Sequence, residues 1–262
     1  MMHAAWRYRG FIASSIRNEY RSRFVRSRLG AIWMILHPLA NAAIFALILS
    51  EVMTAKLPGM LANPFAYPIY LLSGTLAWSL FAEVVTRCLT IFIDNGNLLK
   101  KMAFPRICLP LIVAGSALLN NVMLFGAILV VFGLLGFLPG IAAAWIPVIM
   151  LIPLALGFGI GLLLGVFNVF VRDIGQAVTV ILQLAFWFTP IVYLPQIVPA
   201  SYSWVIEYNP MATVVQAYQG VILYNEQPHW DSLAIVGGAA ALMLVASLFL
   251  FRRASVDLVD AL

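Results

Sequence analysis

Few side chains in this 262-residue chain could carry out acid–base, nucleophilic or metal chemistry. None of the three lysines follows a glycine, so the Gly-Lys-Ser/Thr loop that binds the phosphates of ATP is absent. No paired acids stand in a basic loop, where a glycosyl- or phosphotransferase would need them to hold its metal ion. The three histidines are too far apart to share a metal: His3, His37 and His229. We therefore expect no catalysis, no metal and no cofactor on this chain.

The remaining candidates for chemistry are Glu51, near the outer end of a predicted span, and a pair of ionisable residues within an apolar segment. Glu83 lies inside a long apolar run, and Arg87 follows one helical turn later on the same face. Charges inside a membrane often mark an ion pathway, but an i, i+4 pair of opposite sign neutralises itself. We therefore favour a structural role for this pair, and secondary transport coupled to protons or sodium is poorly supported.

The composition indicates an integral membrane protein. Hydrophobic residues make up 63% of the chain and charged residues 10%, whereas a soluble domain averages about 25% charged residues. A membrane-spanning helix needs about 20 apolar residues. We predict an all-α fold in one transmembrane domain, residues 1–262, with six spans at about 30–53, 67–93, 108–135, 145–170, 176–194 and 232–251.

The basic residues predict the orientation of these spans. Thirteen of the fifteen fall in residues 1–29, 94–107, 171–175 and 252–262, which lie on one side of the membrane. Lys56 lies on the other side, and Arg87 lies within a span. Because basic loops stay in the cytoplasm, both termini are predicted to be cytoplasmic. The excess of positive charge then reflects membrane topology and does not indicate nucleic-acid binding.

The segment 195–231, between the fifth and sixth spans, cannot cross the membrane because it contains four prolines and many polar residues. It is nevertheless too apolar for a free loop. Asn209 and Pro210 together are a typical helix start, with asparagine as the N-cap and proline at the first position. We predict two short helices that re-enter the outer leaflet; the alternative is a cap that lies flat on the outer surface.

The N-terminal segment, residues 1–29, predicts an amphipathic helix at the cytoplasmic surface. Apolar residues recur every fourth position at Ile12, Ile16, Tyr20 and Phe24. Arginines occupy the rest of the surface, as in helices that lie among lipid headgroups. The helix is either a plain lipid anchor or also the border of a partner or a transport pathway. The residues assigned to this interfacial role are Arg17, Tyr20, Arg21, Phe24 and Arg28.

The cytoplasmic loop 94–110 contains a short basic helix with exposed apolar residues, which Pro105 and Arg106 end. Such a helix either packs under the membrane or docks in a groove of a partner protein.

Several of these segments together resemble the permease subunit of ABC-2-type polysaccharide exporters, the group that exports O-antigen, capsule and teichoic-acid chains. The O-antigen branch is the most similar. The matching segments cover the chain from end to end: YRSRFVRSRLGAIW at 20–33, HPL at 37–39, LKKMAFPR at 99–106, FVRDIG at 170–175, FTPIVY at 188–193 and NPM at 209–211.

The resemblance implies a half-transporter in the bacterial inner membrane. A second copy of the chain and two separate ATPase subunits, which bind ATP and Mg, would complete it. The substrate would be a lipid-linked polysaccharide; a small lipid or drug, or an enzyme of glycan assembly, are the alternatives. The helices at about 196–224 would match the family's outer-leaflet pair. The residues expected to contact the ATPase are Asn97, Leu98, Leu99, Lys100, Lys101, Phe104, Pro105, Arg106, Arg172 and Asp173.

In that family layout the first and fifth spans line the channel, and both carry aromatic rings. Ring faces stack on sugar C–H groups without a fixed hydrogen-bond register, although rings on a span can equally face lipid. We further expect Pro190 to kink the fifth span as a hinge, and Thr189 to pair with a freed carbonyl. The candidate pathway residues are Trp33, Phe45, Phe186, Trp187, Phe188 and Tyr193.

Overall fold

The computed structural model describes residues 6–25, 65–96, 105–134 and 136–254, with Leu36, Ala40, Ala43 and Ile44 as single positions. These residues contain no strand. They form nine α-helices: α1 Arg9–Val25, α2 Ala66–Asp94, α3 Cys108–Leu134, α4 Ile146–Ile149, α5 Leu151–Phe170, α6 Asp173–Phe188, α7 Ser203–Glu207, α8 Pro210–Leu223 and α9 Trp230–Ala254. Short 3-10 turns lie at Ile141–Trp145, Pro195–Ile197 and Ala200–Tyr202.

Four helical segments in the described part are long and apolar enough to cross a membrane: α2, α3, Ile141–Phe170 and α9. They agree with the spans predicted at 67–93, 108–135, 145–170 and 232–251. The span predicted at 30–53 lies almost wholly outside the described residues. The helical assignment of the chain is therefore confirmed, and the count of six spans stays a prediction.

The segment predicted as the fifth span is shorter than expected. Helix α6 has 16 residues, or about 24 Å at the usual helical rise, and it ends at Phe188 instead of 194. Pro190 explains the early end, because a residue before proline is pushed out of the helical region and Thr189 has an extended ψ of 134°. The predicted kink at Pro190 is therefore wrong: the proline ends the helix.

Helix α2 lies at the centre of the bundle, and α5 packs against it through a face of glycines. A Cβ atom added at Gly161 would lie 2.8 Å from Cβ of Cys88, and one at Gly157 would lie 2.9 Å from the carbonyl of Phe81. On the other side of α5, a Cβ at Gly159 would lie 3.0 Å from the backbone of Leu244 in α9. These close approaches need residues without side chains.

Helix α8 lies against the first half of α2. A Cβ at Gly74 of α2 would be 3.3 Å from Val215 and 2.8 Å from the amide of Gln219. The predicted start of this helix is confirmed, because Asn209 accepts a hydrogen bond from the Met211 amide at 2.9 Å and Pro210 occupies the first turn. Most of the apolar side chains of α8 are buried in the common core.

Candidate functional site

The segment 189–194 after α6 is irregular backbone buried in the bundle. Thr189, Ile191, Val192 and Leu194 are each at most 4% exposed. Buried backbone carbonyls outside helices need hydrogen-bond donors. The Ile191 amide supplies one, to the Thr189 carbonyl at 2.7 Å. The carbonyls of Pro190, Val192 and Tyr193 are paired by neighbouring helices.

Two tyrosines of α2 and one glutamine of α8 supply these donors. The Tyr67 hydroxyl donates to the Val192 carbonyl at 2.8 Å. The Tyr70 hydroxyl lies 3.2 Å from the Pro190 carbonyl and 3.0 Å from that of Tyr193, so one proton serves both. The Gln219 amide donates to the Pro190 carbonyl at 3.1 Å. We call Tyr67, Tyr70 and Gln219 the polar clasp.

The end of α6 is tied to the start of α8. The Thr189 hydroxyl donates to the carbonyl of Ala185 at 2.7 Å, which confirms that it pairs with a carbonyl of the helix end. The Asn209 amide donates in turn to the Thr189 hydroxyl at 2.9 Å. Thr189 and Asn209 therefore connect the end of α6 to the start of α8.

The aromatic residues at the end of α6 point in different directions. Phe186 is half-buried and packs edge-on against Trp78 of α2, with ring centroids 5.9 Å apart. Trp187 and Phe188 are 52% and 55% exposed, and Tyr193 is half-buried in the segment held by the clasp. Trp33 and Phe45 lie outside the described residues.

Trp78 was not predicted from the sequence as part of this aromatic group. It contacts Phe81 on its own helix, at 5.5 Å between ring centroids, as well as Phe186. Nothing in the spacing of α2 distinguishes Trp78 from an ordinary core residue, because its partner lies more than a hundred residues away.

On the predicted cytoplasmic side, the loop expected to contact the ATPase lies mostly outside the described residues. This holds for Asn97, Leu98, Leu99, Lys100, Lys101 and Phe104. Pro105 and Arg106 are described, and they form the turn that starts α3. Their carbonyls accept hydrogen bonds from the amides of Cys108 at 2.9 Å and Leu109 at 3.3 Å. Both side chains are half-buried.

Arg172 and Asp173 lie in the exposed turn between α5 and α6. A residue that was not predicted, Asn168, holds this turn in place. Its side chain is 3% exposed; it donates to the Leu89 carbonyl of α2 at 3.0 Å and accepts from the Gly175 amide at 2.9 Å. An asparagine in the last turn of an apolar span is a signal that could have identified it. Asn168 thus fixes Arg172 and Asp173 relative to α2.

The ion pair predicted between Glu83 and Arg87 is confirmed, at 3.1 Å. It belongs to a larger polar cluster, since Arg87 also donates to Ser116 of α3 at 2.8 Å and pairs with Glu19 of α1 at 2.6 Å. Asn120 donates to Glu83 at 2.7 Å. Glu19 was not predicted, although it is the one acidic residue in the basic first 28 positions. The cluster attaches the N-terminal helix to the bundle.

Part of the apolar stripe on α1 packs against the rest of the protein. The side chain of Ile16 packs on Gly115 of α3, and Ile12 is half-buried, while Arg17 on the other face is exposed. A cleft of about 400 Å³ separates α1 from α2 and α3 near Glu19 and Arg87. Tyr20, Arg21 and Phe24 lie within the helix but their side chains are not described, and Arg28 lies outside the described residues.

Comparison with known proteins gives the family of this arrangement. The model of the ABC-2 type transporter family matches residues 12–223. An O-antigen export system permease protein RfbA of Klebsiella pneumoniae is 28% identical over 90% of this chain and 88% of its own length. The protein of the same name in Myxococcus xanthus is 26% identical over 96% of this chain and 95% of its own. The polysialic acid transport protein KpsM of Escherichia coli is 22% identical over 89% of each chain.

The family match begins within α1, at Ile12, covers the central helix α2 and the polar clasp, and ends at the last residue of α8. It therefore includes every described residue that the sequence singled out for coupling or for the pathway. The chain belongs to the ABC-2 type transporter family.

Proposed function

We propose that this chain is the permease subunit of an ATP-driven exporter that moves lipid-linked, O-antigen-like polysaccharide from the cytoplasmic side across the bacterial inner membrane. The observation that carries this proposal is the similarity, along nine-tenths of the chain, to proteins named O-antigen export permeases. Similarity to a polysialic acid transport protein supports a polysaccharide as the class of substrate.

ATP hydrolysis in this proposal takes place on another chain. The sequence has no Gly-Lys pair for a phosphate loop, and ABC-2 permeases work with ATPase subunits. Two copies of the permease would join two ATPase subunits. The loop 97–106 would seat in a groove of each ATPase, and Arg172 and Asp173 would make a second contact. The exposure of that turn, and its attachment to α2 through Asn168, support this assignment.

The pathway would lie between the two copies, along α6. Trp187 and Phe188 give this helix an exposed aromatic end. A polymer that must cross without stopping needs many weak contacts, which ring faces supply. The polar clasp would keep the outer end of α6 in a fixed position, because it satisfies the carbonyls of the non-helical segment that follows.

The outer end of the pathway would be shaped by α7 and α8 as a re-entrant pair. Helix α8 has 14 residues, about 21 Å in length, which is too short to cross a hydrocarbon core of about 30 Å. Its N-cap residue, Asn209, contacts Thr189, and Gln219 lies beside Gly74, eight residues inside α2. These contacts support a helix that lies within the outer leaflet beside α2.

Co-expression with a candidate ABC-type ATPase subunit from the same genome tests the proposal. We expect a purified complex with two copies of each chain, measured by mass photometry in lipid nanodiscs. A mutation in the phosphate loop of the ATPase should leave the complex intact and abolish ATP hydrolysis. Purification of the permease without the ATPase, from cells in which both chains are well expressed and folded, would contradict the proposal.

A further inference from the structure

A polar cleft lies beside α8 at the predicted outer face. Its volume is about 320 Å³, at the lower end of the range of roughly 300–1,000 Å³ for small-molecule sites. Helix α8 forms one wall, the loop 224–229 a second, and residues 194–196 a third. The polar or aromatic side chains that line it are Tyr70, Gln196, Thr213, Gln216, Gln219, Tyr224, Glu226, Gln227, His229 and Ser232.

The loop wall of the cleft is held by the start of the span Ile141–Phe170. Asn225 has a left-handed backbone, with φ of 54°, and its side-chain oxygen accepts from the Ala142 amide at 3.0 Å. The indole of Trp145 donates to the Gln227 side chain at 2.9 Å and packs edge-on against Trp230, with centroids 5.0 Å apart. Two residues of the loop, Asn225 and Gln227, are thus hydrogen-bonded to this span, so the cleft is formed without a bound ligand.

The opposite wall is held by the polar clasp. Tyr70 and Gln219 both line the cleft and both hydrogen-bond the carbonyl of Pro190. The wall residue Leu194 is the last residue of the segment that this contact holds, and Pro195 directly follows it. The shape of the cleft is therefore coupled to the position of the end of α6.

The chemistry of the lining favours a neutral, hydroxyl-rich ligand. Glu226 is the one acidic residue that lines the cleft, and no lysine or arginine does so among the described residues. A phosphate or an anionic headgroup would require such cations, and an apolar molecule would require mainly apolar walls.

The polar groups suit sugar hydroxyls in particular. A side-chain amide both donates hydrogen bonds to hydroxyls and accepts them, and a carboxylate accepts them. The side chains of Gln196 and Gln216 make no hydrogen bond to other described residues. Tyr70 and Tyr224 add aromatic rings to the walls, and ring faces pack on sugar C–H groups. Burial, together with the charge of Glu226, raises the pKa of Tyr224, so its hydroxyl stays neutral and can donate.

We propose that this cleft binds one neutral sugar residue of the exported polysaccharide as the polymer leaves the outer face. The proposal rests on the proposed function for the identity of the polymer. Gln216 and Glu226 hydrogen-bond the sugar hydroxyls, and the cleft holds the emerging chain between transport steps. Binding is weak, with a dissociation constant on the order of 1 mM, because a tight site would stop the polymer.

Saturation-transfer difference NMR on the full chain in nanodiscs tests the site. The probes are the methyl glycosides of glucose, galactose, mannose, rhamnose and N-acetylglucosamine. We expect at least one glycoside to bind, and Gln216→Ala and Glu226→Gln each to weaken its binding about tenfold. The first change removes a hydrogen-bonding amide, and the second replaces a charged acceptor with a weaker neutral one. Glu207→Gln is the matched control, because Glu207 is exposed on the adjacent α7 and does not line the cleft.

Two results would overturn the proposal: no glycoside binds to the wild-type chain, or binding is the same in both cleft variants as in the control. Gln216 is exposed on α8, so its replacement by alanine leaves the core unchanged, and gel filtration checks the folding of each variant. If the chain forms the complex with its ATPase but binds no glycoside, the sugar site is rejected and the proposed function is retained. If the chain binds a glycoside but forms no complex, the sugar site is retained and the proposed function is rejected.

Discussion

Tyr70→Phe removes one hydroxyl from the polar clasp and leaves the ring in place. Tyr70 is 3% exposed, so water does not replace the lost donor. The Pro190 carbonyl keeps the amide of Gln219 at 3.1 Å, but the Tyr193 carbonyl loses the donor at 3.0 Å. A net hydrogen bond is worth about 1 kcal/mol, and a buried group left unpaired costs about 1–3 kcal/mol. We expect the variant to lose about 1–3 kcal/mol of unfolding free energy.

The measurement is equilibrium unfolding of the purified permease in mixed micelles, with SDS as the denaturant. Tyr208→Phe is the matched control, because Tyr208 is 83% exposed, and we expect it to change the free energy by less than about 0.5 kcal/mol. Tyr67→Phe should behave like Tyr70→Phe, since it removes the donor to Val192 at 2.8 Å.

Hydrogen exchange gives a local version of the same test. Amides of the segment 189–198 should exchange about 5- to 140-fold faster in Tyr70→Phe, because each 1.4 kcal/mol of opening free energy is a factor of about ten. Equal unfolding free energies for Tyr70→Phe and Tyr208→Phe, with unchanged exchange, would show that the clasp does not hold the end of α6.

Three further predictions concern the rest of the site. Arg106→Ala should lower polysaccharide export at least about tenfold without loss of folding, because Arg106 ends the loop assigned to the ATPase contact. Arg253→Ala, at an exposed position, is the control. Export in Arg106→Ala equal to that of the control would refute the assignment. Trp187→Ala should slow export without loss of the complex, whereas Phe249→Ala, on the exposed face of α9, should leave the export rate unchanged. Equal export rates in the two variants would indicate that Trp187 faces lipid and not the pathway. Arg87→Gln should lower the free energy of unfolding by about 2 kcal/mol, because it removes the cation shared by Glu19 and Glu83. The amides of α1 should then exchange hydrogen faster. Unchanged hydrogen exchange in α1 would show that this cluster does not attach α1 to the bundle.

Local patterns were enough to predict several features of the fold. Apolar run length identified the four span-length helices, and the Asn209–Pro210 pair identified the start of α8, because both depend on neighbouring residues alone. The Glu83–Arg87 pair was predicted for the same reason, since both residues lie on one helix face.

Features that join distant parts of the chain were missed. The partners of Tyr67 and Tyr70 lie more than 115 residues away along the chain, and Glu19 meets Arg87 across 68 positions. A tyrosine that satisfies a buried carbonyl has the same local sequence as one that packs in a core. The end of α6 was misplaced because the apolar run continues through Pro190. A hydrophobicity pattern does not show that proline lacks the backbone N–H that a helix needs.

The most direct test of the proposed function is transport in inside-out membrane vesicles that contain the permease and its ATPase. Lipid-linked polysaccharide in the outer medium, which corresponds to the cytoplasm, is followed by its sensitivity to a glycosidase that cannot cross the membrane. We expect the polymer to become protected when ATP is added and to stay sensitive with a non-hydrolysable ATP analogue. A complex that hydrolyses ATP but leaves the polymer fully sensitive would contradict the account.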